Sequence, residues 1–271
     1  MFLIIVAAII AAVYFFMQQP KMGSYSSGER LEIIKRSLQY SNGKFQNQSL
    51  TPDLTEGASF FSVLKEFFFD KKPRRKPSGP LPSVKTDLLH LQKDENVLIW
   101  MGHSSYFMQV DGKTILVDPV LSGAASPISF TTKSFAGADI YTTDDLPEID
   151  LLFITHDHWD HLDYTTLKKL KSKIKTIITG LGTGAHLERW GFNKEMIIEK
   201  DWNDNINPED GFSVTITPAR HFSGRGFVRN RALWSSFVLQ TPTLKIYIGG
   251  DSGYDNHFTA ETTTALLTWR Y

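Results

Sequence analysis

The sequence Thr155-His156-Asp157-His158-Trp159-Asp160-His161-Leu162 places three imidazoles and two carboxylates within six residues, directly after the apolar run 151–154. A short apolar run predicts a buried strand, so these polar residues lie at its end. His156 and His158 can direct two ring nitrogens at one point, whereas Asp160 and His161 face a neighbouring point. The pattern predicts two adjacent metal positions. Imidazole and carboxylate ligands without thiolate favour zinc, with iron or manganese as alternatives.

His221 is the candidate third ligand of the first metal. It follows a predicted strand, 213–217, and Pro218, which cannot donate a backbone hydrogen bond and therefore ends strand pairing. A histidine exposed at that point can complete a set of three imidazoles with His156 and His158.

Asp251 is the candidate bridging ligand. It follows the predicted strand 244–248 and the pair Gly249-Gly250, where the absence of side chains lets the backbone approach a neighbour closely. The carboxylate of Asp251 can therefore lie between two metals.

His103, Asp118 and Arg225 are candidates for a supporting role around the metals or at the substrate. His103 interrupts the first pair of predicted strands, and Asp118 ends the third, where its carboxylate can hold a ligand histidine by the free ring nitrogen. Arg225 belongs with Arg229 and Arg231 to a group of cations that suits an anionic substrate. For each arginine taken singly, a solvated basic loop is the alternative.

The segment 122–145 lies between the third predicted strand and the strand that carries the histidine motif. Loops of this length inside a compact domain are usually functional, so we expect it to form a wall of the substrate cleft. Just before it, Asp111-Gly112 predicts a hairpin turn between two β-rich runs.

Bulk composition excludes several classes of protein. The chain has 271 residues, of which 41% are apolar, which suits one large domain and excludes a disordered chain. Its formal net charge is zero, so no global field favours nucleic acid. There is no cysteine, so histidine and carboxylate must hold any metal. Gly180 to His186 is rich in glycine, but no Lys-Ser or Lys-Thr pair follows, so nucleotide binding is not expected.

The N-terminal residues predict a membrane anchor. Phe2 to Met17 is an unbroken apolar run, slightly shorter than the ~20 residues that span a bilayer core. No basic residue precedes it, which favours an uncleaved anchor, residues 1–20, over a cleavable signal peptide. The positive charges lie after the run and predict a catalytic body that faces the cytoplasm.

Residues 21–87 are predicted to form an extended arm (residues 23–56), an aromatic helix and a proline-rich linker. The arm is polar and has no sustained period, so no chemistry is expected of it. Beyond it lie apolar residues on one helical face and a basic cluster, 71–76, which together suit an anionic membrane surface. A helix packed on the domain beside a solvated linker is an equal alternative. The main domain is predicted at 88–271.

The motifs His156-x-His158-x-Asp160-His161, His221 and Gly-Asp251-Ser-Gly, in this order, resemble the metallo-β-lactamase-fold hydrolase superfamily. Shorter motifs are similar to its N-acylphosphatidylethanolamine-hydrolysing phospholipase D branch, namely Gly102-His103-Ser104-Ser105, Asp118-Pro119, Pro218-Ala219-Arg220-His221 and Leu233-Trp234. The resemblance covers residues 85–258 and implies an α/β fold, an αββα sandwich with a dinuclear zinc site at one edge of the sheets.

On the pattern of that superfamily, one zinc is held by His156, His158 and His221, the other by Asp160 and His161, and Asp251 bridges them. The resemblance implies a zinc-dependent hydrolase in which a metal-activated water attacks a phosphodiester, with Asp160 and Asp251 as the catalytic carboxylates and Asp160 orienting the water. With the bilayer signals, it favours a membrane lipid such as an N-acylphosphatidylethanolamine-like phospholipid, or a small anionic ester. Hydrolysis of a lactone, ester or amide is the alternative.

The resemblance also implies a second half after the bridging aspartate, with a last histidine for the second metal. After Phe258 the tail of this chain no longer resembles the superfamily, so a C-terminally truncated domain is expected. An inactive copy that acts as a membrane-bound binding module is the expectation from another class of function.

Overall fold

The computed structural model describes residues 1–70 and 76–258, without the side chains of Phe67 and Phe68. Most of the predicted basic cluster, 71–75, and the tail, 259–271, therefore lie outside the described residues. Ahead of the main domain, the structure contains three helices and a two-stranded hairpin: α1 (Phe2–Met17), α2 (Gly28–Lys35), β1 (Tyr40–Ser41), β2 (Lys44–Phe45) and α3 (Phe60–Phe69). Short 3-10 helices occur at Pro20–Met22, Thr143–Asp145, Lys171–Lys173 and Lys194–Met196.

Helix α1 coincides with the predicted membrane anchor but is short. Its 16 residues give a length of about 24 Å at 1.5 Å per residue, against the ~30 Å of a bilayer core. Pro20 follows closely and disfavours a longer helix. Across 1–70 and 76–258, no helix combines the length and apolar character that crossing a membrane needs. The prediction of a spanning N-terminal anchor is therefore not supported.

A six-stranded sheet forms the centre of the main domain. Its strands lie side by side in chain order: β3 (Val97–Gly102), β4 (Ser105–Val110), β5 (Lys113–Val117), β6 (Ile149–Ile154), β7 (Ile174–Gly180) and β8 (Ile197–Lys200). The first three pair antiparallel, and β5 to β8 pair parallel. All six residues of β6 are buried, as expected for a central parallel strand covered on both faces. The predicted hairpin turn at Asp111-Gly112 is confirmed, and both residues have positive φ.

A four-stranded antiparallel sheet packs against the first. Its spatial order is β12-β11-β10-β9, from strands β9 (Asn205–Glu209), β10 (Phe212–Thr217), β11 (Ser236–Gln240) and β12 (Lys245–Ile248). The core between the sheets contains Phe153 from β6 and Phe237 from β11, whose ring centroids lie 5.1 Å apart. Burial of such aromatic side chains is a main source of stability for packed sheets.

Two helices cover the other face of the six-stranded sheet. They are α4 (Tyr164–Leu170), which Asp163 caps by accepting a hydrogen bond from Thr165 N, and α5 (Gly184–Arg189). Leu167 and Leu187 pack with the outward-facing apolar residues of the sheet in a second core. The layers are therefore helices, six-stranded sheet and four-stranded sheet, which confirms the predicted mixed α/β class with two packed sheets.

Candidate metal centre

Loops from both sheets meet at one edge of the sandwich. The loop after β6, residues 155–162, carries the histidine motif and is called the metal loop below. The loop after β10 carries His221, the loop after β12 carries Asp251, and β5 ends just before Asp118. Side chains placed at the carboxyl ends of parallel strands commonly form sites, because the loops there converge.

The three imidazoles predicted to bind the first metal converge in the structure. His158 Nδ1 lies 2.9 Å from His156 Nε2 and 3.2 Å from His221 Nε2. One nitrogen of each ring lies within 4.8 Å of those of the other two. We call this cluster the first position. Three nitrogens at this spacing fit the three-histidine ligand set of a catalytic zinc.

Burial keeps the imidazoles of the first position uncharged. It lowers the pKa of His156 well below the usual value, lowers that of His158, and lowers that of His221 to about 4. Each of these shifts is enlarged by a neighbouring histidine. Neutral imidazole is the form that binds metal, so this cluster is ready to act as a ligand set at neutral pH.

A second cluster contains His161 and two carboxylates and lies beside the first. His161 Nε2 is 3.4 Å from Asp251 Oδ1 and 4.0 Å from Asp160 Oδ2. The other oxygen of Asp251 lies 3.8 Å from His221 Nε2, so this carboxylate stands between the two clusters. We call His161, Asp160, Asp251 and the adjacent His103 the second position. The placement of Asp251 is the one that a bridging ligand requires.

Asp118 orients His161. Its Oδ2 lies 2.8 Å from His161 Nδ1, and its Oδ1 accepts a hydrogen bond from Thr155 N at 2.8 Å. His161 therefore carries its proton on Nδ1 when neutral and turns Nε2 toward the carboxylates. That Nε2 is buried and forms no hydrogen bond with any residue of 1–70 or 76–258. Buried polar atoms are rarely left unsatisfied, so this nitrogen fits a metal ligand.

Charge distinguishes the second position from the first. Burial disfavours the charged form of His161, but the charge of Asp118, the hydrogen bond to Asp118 and the nearby Asp251 carboxylate outweigh it and raise the pKa to about 10. Burial also opposes ionisation of Asp160, yet the hydrogen bond from His103 and the charge of His161 lower its pKa to about 2. The second position therefore holds ionised carboxylates around a histidine that binds a proton in the metal-free protein.

His103 lies in the turn between β3 and β4 at a positive φ of 47°. Its Nε2 is 2.9 Å from Asp160 Oδ2, and a ring nitrogen of His103 also lies within 4.8 Å of possible ligand atoms of Asp160 and His161. Trp100 Nε1 donates to His103 O at 2.7 Å and supports this turn. The geometry suits two roles, a hydrogen bond that orients Asp160 and a third ligand at the second position.

Gly250 allows Asp251 to reach the site. A Cβ at this residue would lie 2.8 Å from Thr155 Cβ and 2.9 Å from Ser235 O, closer than real side chains pack. The backbone before Asp251 therefore runs against the start of the metal loop, as expected for the glycine pair. Only glycine permits this approach without displacing a neighbouring strand end.

Arg225, a candidate for substrate contact, lies inside the protein. Its guanidinium packs 3.9 Å from the ring of Trp159 and donates to Asp157 O at 2.9 Å and to Leu162 O at 2.7 Å. Only 3% of the residue is exposed. Arg225 therefore fastens both halves of the metal loop, a supporting role, and does not line a cleft.

Two cavities open beside the metal positions. One, of about 430 Å³, is lined mainly by apolar groups and includes His103, Asp160 and residues of the 122–145 segment, which confirms that this segment forms a wall beside the site. The other, a groove of about 750 Å³, contains His221 and the cations Lys44, Arg220 and Arg229. The site therefore lies between an apolar cavity and a polar groove with positive side chains.

Sequence reasoning missed two residues around the first position, Asn47 and His186. Asn47, in the arm, hydrogen bonds to the backbone of His221. His186 is buried, and its Nε2 lies 3.2 Å from Asp157 Oδ2. Neither contact has a signal in local spacing, since the partners are 174 and 29 residues apart.

Comparison with known proteins agrees with this architecture. The sequence profile of the beta-lactamase superfamily domain matches residues 113–267. An uncharacterized protein of Mycobacterium tuberculosis is 31% identical over 228 residues, which cover 84% of this chain and 61% of that protein. The N-acyl-phosphatidylethanolamine-hydrolyzing phospholipase D 1 of Caenorhabditis elegans is 29% identical over 229 residues, which cover 78% of this chain and 62% of that protein.

Among solved structures, that of the isothiocyanate hydrolase from Delia radicum gut bacteria is similar with a TM-score of 0.47 and 19% identity, covering 61% of this chain and 66% of that one. The chain spans 61% of the length of the mycobacterial relative and 62% of that of the nematode relative. Because the profile matches more than half of the chain, and the match contains the histidine motif, His221 and Asp251, this chain belongs to the beta-lactamase superfamily.

Proposed function

We propose that this chain is a zinc-dependent hydrolase of phosphodiesters, and that its favoured substrate is an N-acylphosphatidylethanolamine-like phospholipid. The observation that carries the proposal is the pair of ligand clusters that share Asp251, set between an apolar cavity and a groove with positive side chains. The name of the nematode relative supports the same class of substrate.

The residues present fit two metal ions. His156, His158 and His221 would hold the first, His161 and Asp160 the second, and Asp251 both, with His103 as a further candidate at the second. Nitrogen and carboxylate donors without thiolate suit zinc, and the partnerless Nε2 of His161 is accounted for by a metal. When bound, such ions lower the pKa of a water from about 15.7 towards 7 and neutralise charge on a phosphoryl oxygen.

The side chains around these positions have separate tasks in hydrolysis. The hydrogen bond from His103 fixes the Asp160 carboxylate, which would orient the attacking water by accepting a hydrogen bond from it. His103 is 60% exposed at its side chain, and its hydrogen bond to Asp160 raises its pKa. When His103 does not bind the second metal, it can therefore donate a proton to the departing alcohol. Asp118 keeps the tautomer of His161 constant through these steps.

The two cavities support an amphiphilic substrate. Val120 and Phe135 contribute to the apolar cavity beside Asp160, which suits a hydrocarbon chain. On the opposite side, Arg229 and Arg220 lie in the groove next to His221 and suit an anionic phosphoryl group. A diester whose phosphorus sits at the metals would reach both cavities at once.

We further propose that the protein associates with the surface of a lipid bilayer, where such a substrate resides. All side chains of α1 are apolar or aromatic, and none of its residues is buried. Phe60, Phe61 and Phe69 of α3 are also largely exposed. Transfer of apolar surface of this kind into a lipid interface is favourable. Flotation of the full chain with phosphatidylglycerol vesicles, compared with phosphatidylcholine vesicles, tests this association and whether it depends on lipid charge.

The decisive experiment measures metal content and hydrolysis with one preparation of the full chain. We expect about two zinc ions per chain by elemental analysis, and release of phosphatidic acid from N-acylphosphatidylethanolamine in mixed micelles. The variant His156→Ala is the control and should lose both. Hydrolysis of lactones, esters or amides without phosphodiester cleavage would replace the proposed substrate. A folded chain that binds no metal would favour the binding module.

A further inference from the structure

We propose that the arm (residues 23–56) positions the ligands of the first metal, with Gly23 holding the metal loop through His186 and Asn47 holding His221. This inference rests on the proposed metal centre. It assigns a function to a segment from which sequence periodicity predicts none. Gly23, His186 and Asn47 are positioning residues, because none of them reaches the ligand atoms of the cluster.

The first link runs from the arm to the metal loop. Ser24 N donates a hydrogen bond to His186 Nδ1 at 3.0 Å, so the neutral imidazole carries its proton on Nε2. That nitrogen lies 3.2 Å from Asp157 Oδ2 and donates to it. The other oxygen of Asp157 accepts from Gly224 N at 2.6 Å. Asp157 separates His156 from His158, so its position sets the backbone between two ligands.

Gly23 allows the backbone of the arm to contact the His186 ring closely. Its φ is +76°, and a Cβ would lie 1.9 Å from His186 Nδ1, so the backbone packs directly on the imidazole. No other residue fits without moving either the arm or His186. The backbone of the arm therefore prevents the His186 ring from moving away from Asp157.

The chain on either side of Gly23 is fastened to the same region. Trp190 Nε1 donates to Pro20 O at 2.8 Å, and Arg225 donates to Lys21 O at 3.0 Å through Nη2. Further on, Arg30 of α2 forms ion pairs of 2.7 Å with Glu188 and 2.6 Å with Glu199. These contacts hold the arm against α5, which carries His186, and against the arginine that fastens the metal loop.

The second link runs from the arm to His221. Asn47 Nδ2 donates to His221 O at 2.8 Å, and His221 N donates to Asn47 Oδ1 at 3.0 Å. Trp234 Nε1 also donates to Asn47 Oδ1 at 3.0 Å. One side chain thus satisfies both backbone polar groups of a metal ligand, and a buried tryptophan holds that side chain in place. A single amide therefore sets where the His221 ring points.

The two links act on different ligand segments of the same cluster. Gly23 acts on the segment with His156 and His158, and Asn47 acts on His221. Metal affinity depends on ligand atoms being held at the right separation, so loosening either link should weaken binding at the first position. Loss of an outer partner of a metal ligand typically costs about 10–100-fold in metal affinity or activity. We expect the lower end, about 10-fold, because both links act through the backbone.

The variant Gly23→Ala tests the first link, and Gly43→Ala is its matched control. Both glycines have a φ of +76°, but a Cβ at Gly43 has nothing within 4 Å. The control therefore shares the positive φ, whereas Gly23→Ala adds the contact with His186 and a ψ of −161°, which only glycine readily adopts. We expect zinc affinity, measured by chelator competition on the full chain, to fall by about 10-fold in Gly23→Ala relative to Gly43→Ala. The absorption spectrum of bound cobalt should also change only in Gly23→Ala.

The variant Asn47→Ala tests the second link, with Gln46→Ala as its control. The side chain of Gln46 is half-buried, and its hydrogen bonds to backbone oxygens of the hairpin are long, at 3.4 and 3.5 Å. We expect weaker zinc binding and a lower kcat in Asn47→Ala. Both residues line the groove beside His221, so the comparison uses zinc affinity and kcat, in which Gln46→Ala should match the wild type.

A purely structural role for the arm would lower the thermal unfolding midpoint of the metal-free Gly23→Ala and Asn47→Ala proteins. It would leave their zinc affinity and cobalt spectra equal to those of the matched controls, and that result would overturn the inference. A wild-type chain that binds neither zinc nor cobalt would overturn the proposed metal centre instead. The two failures are therefore distinguished by the wild-type measurement alone.

Discussion

The first and second positions use different physical means to present metal ligands within a few ångströms of each other. Burial lowers the pKa values of His156, His158 and His221, so the first position is a set of neutral rings held by packing. At the second position, carboxylates raise the pKa of His161 to about 10. At the first position, burial and packing therefore hold neutral imidazoles ready to bind a metal. At the second position, carboxylate charge attracts the metal, and His161 must lose a proton when the metal binds.

The largest effect is expected at the first position from His156→Ala. This variant removes the most deeply buried imidazole of the first position, which is 1% exposed, and leaves only two imidazoles in the cluster. We expect zinc affinity at this position and hydrolysis to fall by more than about 100-fold, beyond the range seen for outer partners. Elemental analysis and a hydrolysis assay measure both. If full metal content persists, the three-imidazole cluster is not a ligand set.

Next in size, Asp118→Asn should weaken the second position more than the first. The amide cannot accept hydrogen bonds from both Thr155 and His161 as the carboxylate does, so His161 loses its fixed orientation. We expect affinity for the second metal to fall by about 10–100-fold, with a smaller loss at the first, because Thr155 Oγ1 links Asp118 to His156. Asp111→Asn is the matched control, since this half-buried aspartate of the β4–β5 turn has a φ of 48° against 43° for Asp118. Equal loss at both positions would contradict the separation drawn above.

The protons released when metal binds further distinguish the second position from the first. The pKa of His161 is raised to about 10, so at pH 7 to 8 the metal-free imidazole holds a proton that metal must displace. The pKa of His221 is lowered to about 4, so the first position has no such proton. Loading both positions should release about one proton per chain from His161, in addition to any proton lost by a metal-bound water, and affinity at the second position should rise with pH. Calorimetry in buffers of different ionisation enthalpy counts these protons, and zero release would refute the assignment.

The smallest effect is expected at the edge of the groove. Arg229 packs 4.0 Å above the ring of Phe222 and pairs with the exposed Asp53, so it is partly solvated. For Arg229→Ala we expect KM for a phosphodiester to rise by about 2- to 5-fold, the scale of an exposed ion pair, with kcat unchanged. Arg231→Ala is the control, because this arginine lies outside the groove. A fall in kcat would place Arg229 at the reacting atoms.

Local sequence predicted the parts of the site that neighbour one another along the chain. The apolar strand β6 and the metal loop follow from the period and spacing of a few residues, as does the hairpin turn at Asp111-Gly112. The residue types alone also indicate metal chemistry without thiolate. The prediction of a membrane-spanning anchor is not supported, because an apolar run shows that water is unfavourable for these residues but does not set the length of the helix they form.

Contacts across long sequence separations were outside the reach of such reasoning. The sequence shows Arg225 as one of several cations near the candidate metal ligand His221. In the structure it is buried against Trp159 and fastens the metal loop. Asn47 reads as part of a polar arm without chemistry, yet it holds His221 from 174 residues away. The spacing of polar residues along the sequence does not show which distant residue each of them contacts. These functions therefore depend on which surfaces the two sheets bring together.

The sequence by itself determined which ligands are available, their order along the chain, the strand that delivers the metal loop and the family to which the chain belongs. These properties are local or carried by residue type. Only the tertiary structure decided that Asp251 stands between two clusters, that His161 Nε2 is left without a partner, and that the arm closes around the first position. The physical reason is that backbone spacing sets neighbours within a turn, whereas packing of distant segments sets the distances between ligands.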